Sequence, residues 1–299
     1  MQLTSFPFGP LAKRLSFAVF LALAPALASG QTPTLVKDIN TVKSGPIASS
    51  WPGGFVRLGG GYLFNAVSAT AGRELFVTTG LPKSVKLLKA INPGLPNSSP
   101  SVPVILGNKA YFSAVDATHG RELWVTGGTP AGTQLVLDIN PGPAAGCGSI
   151  VVLGTKLFLF GGTASQPGLW SSDGTKAGTK FVTRVSFTWL NHVTSHGGKI
   201  YFQTYTSKYG AEPWVSDGTA AGTYILKDVW PGGGRLGSFP KNFTPAARYL
   251  YFTASRGTTP QLYRSDGTPA GTILIRTSAG RHFRRTPQDL NPGPPALRT

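Results

Sequence analysis

The chain has 299 residues, of which 40% are hydrophobic and only 13% are charged, and its 28 Lys and Arg outnumber 11 Asp and Glu to give a net charge of +17. Its 39 Gly and 25 Pro stay below the share of roughly 25–30% at which disorder becomes the default expectation, so a chain disordered throughout is excluded. The single cysteine, Cys147, excludes an intrachain disulfide. Its place between two glycines predicts a small buried side chain, and the alternative is an intermolecular disulfide.

A signal peptide is predicted over residues 1–28. Lys13 and Arg14 precede an apolar run at 15–24, and the Ala-Leu-Ala sequence at 26–28 offers the small residues that a signal peptidase requires. The run is shorter than the roughly 20 residues of a membrane-spanning helix, and no later segment is long and apolar enough to span a membrane. We therefore expect a secreted or cell-envelope protein without a membrane span after cleavage. A retained anchor or a buried helix is the alternative.

Five copies of one pattern fill most of the remaining chain. Apolar or aromatic pairs begin at positions 62, 111, 157, 201 and 251, which are 49, 46, 44 and 50 residues apart. Each pair is followed by a related motif: RELFVTTG (73–80), RELWVTGGTPAGT (121–133), GLWSSDGTKAGT (168–179), EPWVSDGTAAGT (212–223) and QLYRSDGTPAGT (261–272). A period of this length with several apolar runs per copy is typical of propeller blades or a related β array.

Each copy predicts four strands. In the second copy they are expected at 101–106, 109–115, 121–127 and 133–139. Both sets of alternating positions in these strands are apolar or aromatic, which favours sheets that stack face to face and are covered on both sides. The fourth strand of each copy is expected at 87–92, 135–140, 181–186, 225–230 and 273–278. The predicted fold is therefore an all-β, β-propeller-like array of about five four-stranded repeats of 44–50 residues, within a domain that covers 34–278.

The acidic residues follow the repeat, which indicates a structural role. Three groups share a register: Glu74, Glu122 and Glu212; Asp173, Asp217 and Asp266; and Asp38, Asp138 and Asp228. A single catalytic site needs a unique set of residues, whereas an Asp before Gly accepts the N–H groups of a tight turn. Only Asp116 and Asp289 stand outside these registers.

The motif ELW-x-SDGT-x-AGT resembles the ELWxxDGTxxGT repeats of secreted bacterial proteins. The resemblance covers roughly 34–278, although the first copy, LFVTTGLPKS (75–84), lacks the Asp-Gly-Thr sequence. It implies a propeller-like β array and export, and it supplies no catalytic residue.

Two segments depart from the repeat. TLVKDIN (34–40) has the sequence of the fourth strand of a repeat, so it predicts a sixth strand of this kind, without the three strands that precede the others. The segment 279–299 predicts an irregular, basic, disordered tail. Either the array is a five-bladed ring with a surplus N-terminal strand, or it is a shortened and incompletely closed relative of longer arrays.

The histidines predict no strong metal or catalytic site. His192 and His196 are four apart on a predicted strand and turn, where their Cα atoms would be about 13 Å apart, too far to share one zinc ion. Asp116 and His119 form the best available acid–base fragment, but no GxSxG nucleophile motif accompanies them. A solvated loop is the favoured interpretation.

Calcium is a stronger alternative, with Asp173, Asp217 and Asp266 as oxygen donors, although each turn holds one carboxylate and calcium loops usually gather several. The turns are similar to the Asp-box hairpins of sialidase propellers, but the order of residues differs. A glycosidase needs two carboxyl groups that face a sugar, and the acids outside the registers are too few to favour one.

Aromatic residues fall into two sets. Trp124, Trp170 and Trp214 share one strand position with Phe76 and Tyr263, which predicts a core between sheets. The tryptophans outside this register lie in connections and are better candidates for ligand contact: Trp51, Trp189 and Trp230.

The positive charge suits an acidic polysaccharide, an anionic envelope surface or nucleic acid, although scattered surface Lys and Arg without a patch are the favoured explanation. We expect an exported, non-enzymatic surface-binding or scaffold module with no specific nucleic-acid recognition and no required cofactor. A carbohydrate-active hydrolase and a calcium-stabilised adhesin are the alternatives.

Overall fold

The computed structural model of the protein describes residues 36–39, 49–94, 96–186, 191–232, 236–257 and 259–275. The predicted signal peptide (1–28) and basic tail (279–299) lie outside these residues. Within them, no helix has the length and hydrophobicity needed to cross a membrane.

The described chain forms five four-stranded sheets. Sheet 1 contains β1 (Gly53–Leu58), β2 (Gly61–Ser68), β3 (Gly72–Thr78) and β4 (Lys86–Lys89); sheet 2 contains β5 (Val104–Leu106), β6 (Lys109–Asp116), β7 (Gly120–Thr126) and β8 (Gln134–Leu137). Sheet 3 contains β9 (Cys147–Leu153), β10 (Lys156–Gly162), β11 (Pro167–Ser172) and β12 (Lys180–Arg184). Sheet 4 contains β13 (Asn191–His196), β14 (Lys199–Thr206), β15 (Gly210–Ser216) and β16 (Tyr224–Ile225); sheet 5 contains β17 (Lys241–Pro245), β18 (Leu250–Arg256), β19 (Thr259–Ser265) and β20 (Ile273–Leu274).

Every sheet is antiparallel, and its strands pair in chain order. One end of each sheet, here called the turn end, therefore carries the turns between its first and second and between its third and fourth strands. The other end, here called the connection end, carries the turn between the second and third strands and the connections to other sheets. The predicted all-β, β-propeller-like fold with five four-stranded repeats is confirmed.

The second strand of each sheet is largely buried on both faces, as its apolar sequence predicts. In β6, five consecutive residues are buried, and β14 shows the same pattern. Side chains of neighbouring strand residues point to opposite faces, so each face needs its own cover. The central strands thus form the core.

The chain divides into two compact units, residues 1–146 and 147–299. In the first unit, Leu63 and Leu75 of sheet 1 pack with Phe112 and Trp124 of sheet 2. In the second unit, sheets 3 and 4 share one apolar cluster, and sheets 4 and 5 share another. Burial of such side chains stabilises the protein by about 1.5–3 kcal/mol each.

The fourth strands are shorter than predicted, most clearly in sheet 4, and one predicted strand is not found among the described residues. The fourth strand of sheet 4 was expected at 225–230 but covers Tyr224–Ile225, because the N–H of Val229 is bonded to the Glu212 side chain instead of a strand. Of the strand expected at 34–40, the described residues 36–39 are not in a strand. Val36 and Ile39 instead pack against the Phe64 face of sheet 1.

The turns between third and fourth strands explain the repeated SDGT sequence. The Asp217 carboxylate accepts hydrogen bonds from the N–H and hydroxyl of Thr219, at 2.8 and 2.7 Å. The Ser216 and Thr223 hydroxyls bond at 2.7 Å and close the base of the turn. The same bonds recur around Asp173 and Asp266, so this motif satisfies its own polar groups.

The glycine of the turn leaves room for the preceding sheet. Gly218 has φ of +91°, and a Cβ there would lie 2.4 Å from the Phe158 ring of sheet 3. At Gly267 the equivalent atom would lie 2.5 Å from the Tyr201 hydroxyl of sheet 4. The glycine therefore serves both the left-handed backbone and the close packing of sheets.

Candidate binding groove

A groove of about 650 Å³ opens at the connection end of sheet 5. Its apolar side chains include Trp230, half-buried, and Leu236, which is 63% exposed. The remaining lining residues mix polar, apolar and glycine positions: Gly237, Phe239, Lys241, Asn242, Thr253, Ala254, Ser255, Gly257 and Pro260. Ligand sites commonly combine apolar and aromatic surfaces with a few polar groups in this way.

The connection from sheet 4 to sheet 5 forms one wall of this groove and is fastened to β15. The Ala211 N–H donates to the Leu236 carbonyl at 3.1 Å, and the Phe239 N–H donates to the Ala211 carbonyl at 3.0 Å. Gly237 is required between them, because a Cβ there would lie 2.3 Å from the Ala211 nitrogen. The position of Phe239 is thus set by the backbone.

A buried carboxylate holds the same connection. Glu212 has no exposed surface, and its oxygens accept from the Val229 N–H at 3.1 Å, the Ser238 N–H at 3.0 Å and the Ser238 hydroxyl at 2.6 Å. Glu122 and Glu74 bind the connections after sheets 2 and 1 in the same manner. The shared register of these three glutamates is therefore structural.

Burial is the main influence on the ionisation of these glutamates. It raises the pKa of Glu122 and of Glu212 to about 7, although their N–H donors favour the charged form. The carboxylates of Asp138 and Asp228 add repulsion to Glu122 and Glu212 respectively. Asp138 and Asp228 each have one buried oxygen without a hydrogen-bond partner among the described residues.

The charge in the groove is positive. Its lining contains the exposed Lys241 and includes no Asp, Glu, His or Cys among the residues that the structure describes. The Asn242 amide donates to the Thr253 hydroxyl at 3.3 Å, which donates in turn to the Lys241 carbonyl. These polar groups can bind hydroxyl and anionic groups, but they supply neither a paired carboxylate nor a nucleophile–base pair.

The Asp116–His119 pair forms at the connection end of sheet 2. Asp116 Oδ2 lies 2.8 Å from His119 Nδ1, and Asp116 Oδ1 accepts the N–H groups of Thr118 and His119 at 2.9 and 2.6 Å. The hydrogen bond to Asp116 raises the pKa of His119. For Asp116, these bonds outweigh the effect of burial and lower the pKa. The arrangement is a capped turn with an oriented imidazole.

The other predicted metal candidates remain dispersed. His192 and His196 both lie on β13, with His192 in the left-handed conformation at φ of +57°. The carboxylates of Asp173, Asp217 and Asp266 bind their own turns, and hydrogen bonds from the adjacent Thr lower their pKa. In the described ranges, no group of three or more His, Cys, Asp or Glu is arranged to hold a metal ion. Asp289 lies outside those ranges.

The repeated aromatic position serves packing, between sheets at Trp124 and Trp214 and within sheet 3 at Trp170. Trp124 is 6% exposed within the core of the first unit, and Trp214 packs against the core shared by sheets 3 and 4. Trp170 contacts Phe181 edge to face at 5.5 Å. Cys147 is also buried, as predicted.

Of the connection tryptophans, Trp230 lines the groove, Trp51 is 66% exposed, and Trp189 lies outside the described residues. Sequence reasoning missed Phe239 and Lys241. Their signal was the Ser-aromatic-Pro sequence that precedes the first strand at both 50–52 and 238–240.

No protein-family model matches the chain, and no curated protein matches it. Among solved structures it is similar to a puromycin hydrolase, with 15% identity and a TM-score of 0.50 over 78% of this chain and 38% of that chain. It is also similar to a prolyl endopeptidase, with 12% identity and a TM-score of 0.50 over 72% of this chain and 33% of that chain. The chain thus spans between a third and two fifths of the length of these structures. At such identities the likeness shows the fold alone, and that fold is β-propeller-like.

Proposed function

We propose that the protein is an exported, non-enzymatic module that binds an acidic polysaccharide at the groove of sheet 5. The observation that carries the proposal is the lining itself, in which aromatic side chains and Lys241 meet without a carboxylate. Sugar rings present apolar faces that suit aromatic side chains, and a uronic acid or sulfate group suits a lysine. The net charge, which is +17 in the full chain and about +15 once Lys13 and Arg14 are removed, favours association with an anionic polymer.

Export rests on the N-terminal sequence. Lys13 and Arg14, the apolar run at 15–24 and the small residues at 26–28 support secretion or retention in the cell envelope. Expression of the full chain in a bacterial host, followed by N-terminal sequencing of the exported form, tests this. We expect residue 29 as the first residue, whereas an intact N-terminus in the cytoplasm would contradict export.

Titration calorimetry of residues 29–299 with polygalacturonate tests the binding function. We expect binding that weakens at high NaCl, and no binding of neutral dextran of similar length, because screening removes the lysine contribution. Trp230→Ala should weaken binding about tenfold or more, as aromatic anchors commonly do. Lys241→Ala should weaken it about three- to fivefold.

Lys109→Ala is the matched control for Lys241→Ala, because it removes one exposed cation from the turn end of sheet 2. Equal weakening by the two lysine variants would indicate nonspecific attraction and would contradict a groove site. Polygalacturonate binding that is unchanged in Trp230→Ala would contradict it as well.

The second candidate is a carbohydrate-active hydrolase, for which the Asp116–His119 pair offers a base but not the two facing carboxyl groups of a glycosidase. Asp116 orients His119 at Nδ1, which leaves Nε2 to act as a base. Among the described residues, the hydrogen bonds of the His119 ring are to Asp116 and include no nucleophile. Release of reducing ends from a polysaccharide, abolished by His119→Ala, would support the hydrolase and replace the binding proposal.

A further inference from the structure

Trp51 combines exposure with an unfavourable backbone conformation. Its side chain is 66% exposed, and its φ of +44° lies in the left-handed region that bulky residues rarely adopt. It stands directly before Pro52, upstream of β1. Such residues persist where the surrounding structure holds them, and they concentrate at functional sites.

The same backbone arrangement occurs in two other sheets. Ser99 has φ of +42° and Phe239 has φ of +46°, and each also precedes a proline. The residue before each of the three is a serine whose carbonyl accepts an N–H from the end of the second strand. These bonds are Val67 to Ser50 at 2.7 Å, Val115 to Ser98 at 2.8 Å and Ser255 to Ser238 at 2.8 Å. Trp51, Ser99 and Phe239 are therefore structurally equivalent.

Ser99 shows that this backbone does not require an aromatic residue. Trp51 also contributes little to the core, because two thirds of its side chain is exposed. Neither the backbone conformation nor the packing of sheet 1 accounts for a tryptophan at this position. A surface contact remains as its role, and Phe239 lines the groove from the equivalent position.

The surroundings of Trp51 repeat part of the groove. Asn65 pairs with Gly53 across the strands as Thr253 pairs with Lys241 in sheet 5. The Asn65 side chain is 4% exposed, donates to the Pro100 carbonyl at 3.0 Å, and keeps an amide oxygen without a partner among the described residues. This oxygen is itself buried, so the exposed surface of the site is carried by Trp51 and not by Asn65.

Sheet 1 differs from sheet 5 in charge. Gly53 replaces Lys241, and a Cβ at Gly53 would meet nothing within 4 Å. Val102, which is 56% exposed, lies beside Gly54 and adds apolar surface. This copy of the site therefore suits the uncharged face of a sugar ring.

We propose that Trp51 forms a second polysaccharide contact, in which its exposed indole stacks on a sugar ring. The inference rests on the proposed function and extends it to a second sheet. The two sites bind the same polymer class, one through a neutral ring face and one with the help of Lys241.

Titrations of residues 29–299 with polygalacturonate test this contact. Trp51→Ser installs the residue that the chain itself carries at position 99, so we expect an unchanged or slightly higher Tm. Affinity should fall at least threefold, and Trp51→Phe should restore most of it. Leu81→Ser, which removes a side chain of 67% exposure elsewhere on sheet 1, is the matched control and should bind as wild type.

The outcomes separate this inference from the proposed function. Wild-type affinity in Trp51→Ser, together with weakened binding in Trp230→Ala, would overturn the second contact and retain the groove. Wild-type affinity in both variants would overturn both. If Leu81→Ser weakens binding as much as Trp51→Ser does, the effect comes from a general loss of apolar surface. That result would also overturn the second contact.

Discussion

The two ends of the sheets use the same repeat in opposite ways. At the turn end, a pair of hydroxyl groups closes the turn in every sheet, as Ser216 and Thr223 do, and in sheets 3 to 5 an Asp accepts the N–H of the Thr two residues later. At the connection end, equivalent positions hold Trp51, Ser99 and Phe239. A position that serves the backbone alone tolerates little change. The connection ends of these sheets have the same backbone conformation but expose different side chains. Binding function is therefore expected at the connection end.

The largest expected effect tests how the connection end is held. Glu212→Ala removes the acceptor of the Val229 N–H, the Ser238 N–H and the Ser238 hydroxyl. Each buried polar group that loses its partner costs about 1–3 kcal/mol. We expect the free energy of unfolding in urea to fall by about 3 kcal/mol or more.

Glu212→Gln is the control, because it retains one carbonyl acceptor and the side-chain shape. It should destabilise the protein less than Glu212→Ala does. Equal stability of wild type and Glu212→Ala would contradict the role of this carboxylate in fastening the connection.

The next effect concerns the turn end. Gly218→Ala places a methyl group 2.4 Å from the Phe158 ring and forces alanine to a φ of +91°. Overpacking of this kind typically costs about 1–3 kcal/mol. Gly142→Ala is matched in backbone, with φ of +101°, but a Cβ there meets nothing within 4 Å. We expect a clearly lower urea midpoint for Gly218→Ala than for Gly142→Ala, and equal midpoints would refute the packing role of the turn glycine.

A pH series distinguishes the carboxylates of the two ends. Burial raises the pKa of Glu122 and Glu212 to about 7, so their contribution to stability is complete below the unfolded pKa near 4.5 and is lost as pH rises through 7. The turn aspartates have lowered pKa values and lose their contribution as pH falls below about 4. Stability should therefore be greatest near pH 5.

From pH 5 to 8, which is the upper limb of this profile, the free energy of unfolding should fall by about 1–3 kcal/mol per buried glutamate. Glu122→Gln should make this fall shallower by the share of one glutamate, because Glu212 remains, without changing the acid limb. An upper limb that is as steep in Glu122→Gln as in wild type would show that other groups control stability there.

Sequence reasoning predicted the central strands closely, because their apolar runs reflect burial on both faces. The strand expected at 109–115 is Lys109–Asp116. It overextended the fourth strands, since an apolar pattern does not reveal that Glu212 captures the Val229 N–H. It also identified Trp51 and Trp230 as candidates for ligand contact but not Phe239, whose equivalence to Trp51 depends on a shared left-handed backbone. Trp189 has the same place in the sequence relative to the first strand of its sheet, because it lies two residues before Asn191, just as Trp51 lies two residues before Gly53.

The most direct test of the difference between the ends is an NMR titration of residues 29–299 with a short oligogalacturonate. We predict chemical-shift changes of the Trp51 and Trp230 indole N–H signals and of the Lys241 amide. The amides of Thr219 and Thr268 in the SDGT turns should keep their positions. Shifts confined to those turn residues, with unchanged Trp51 and Trp230 signals, would contradict binding at the connection ends of sheets 1 and 5.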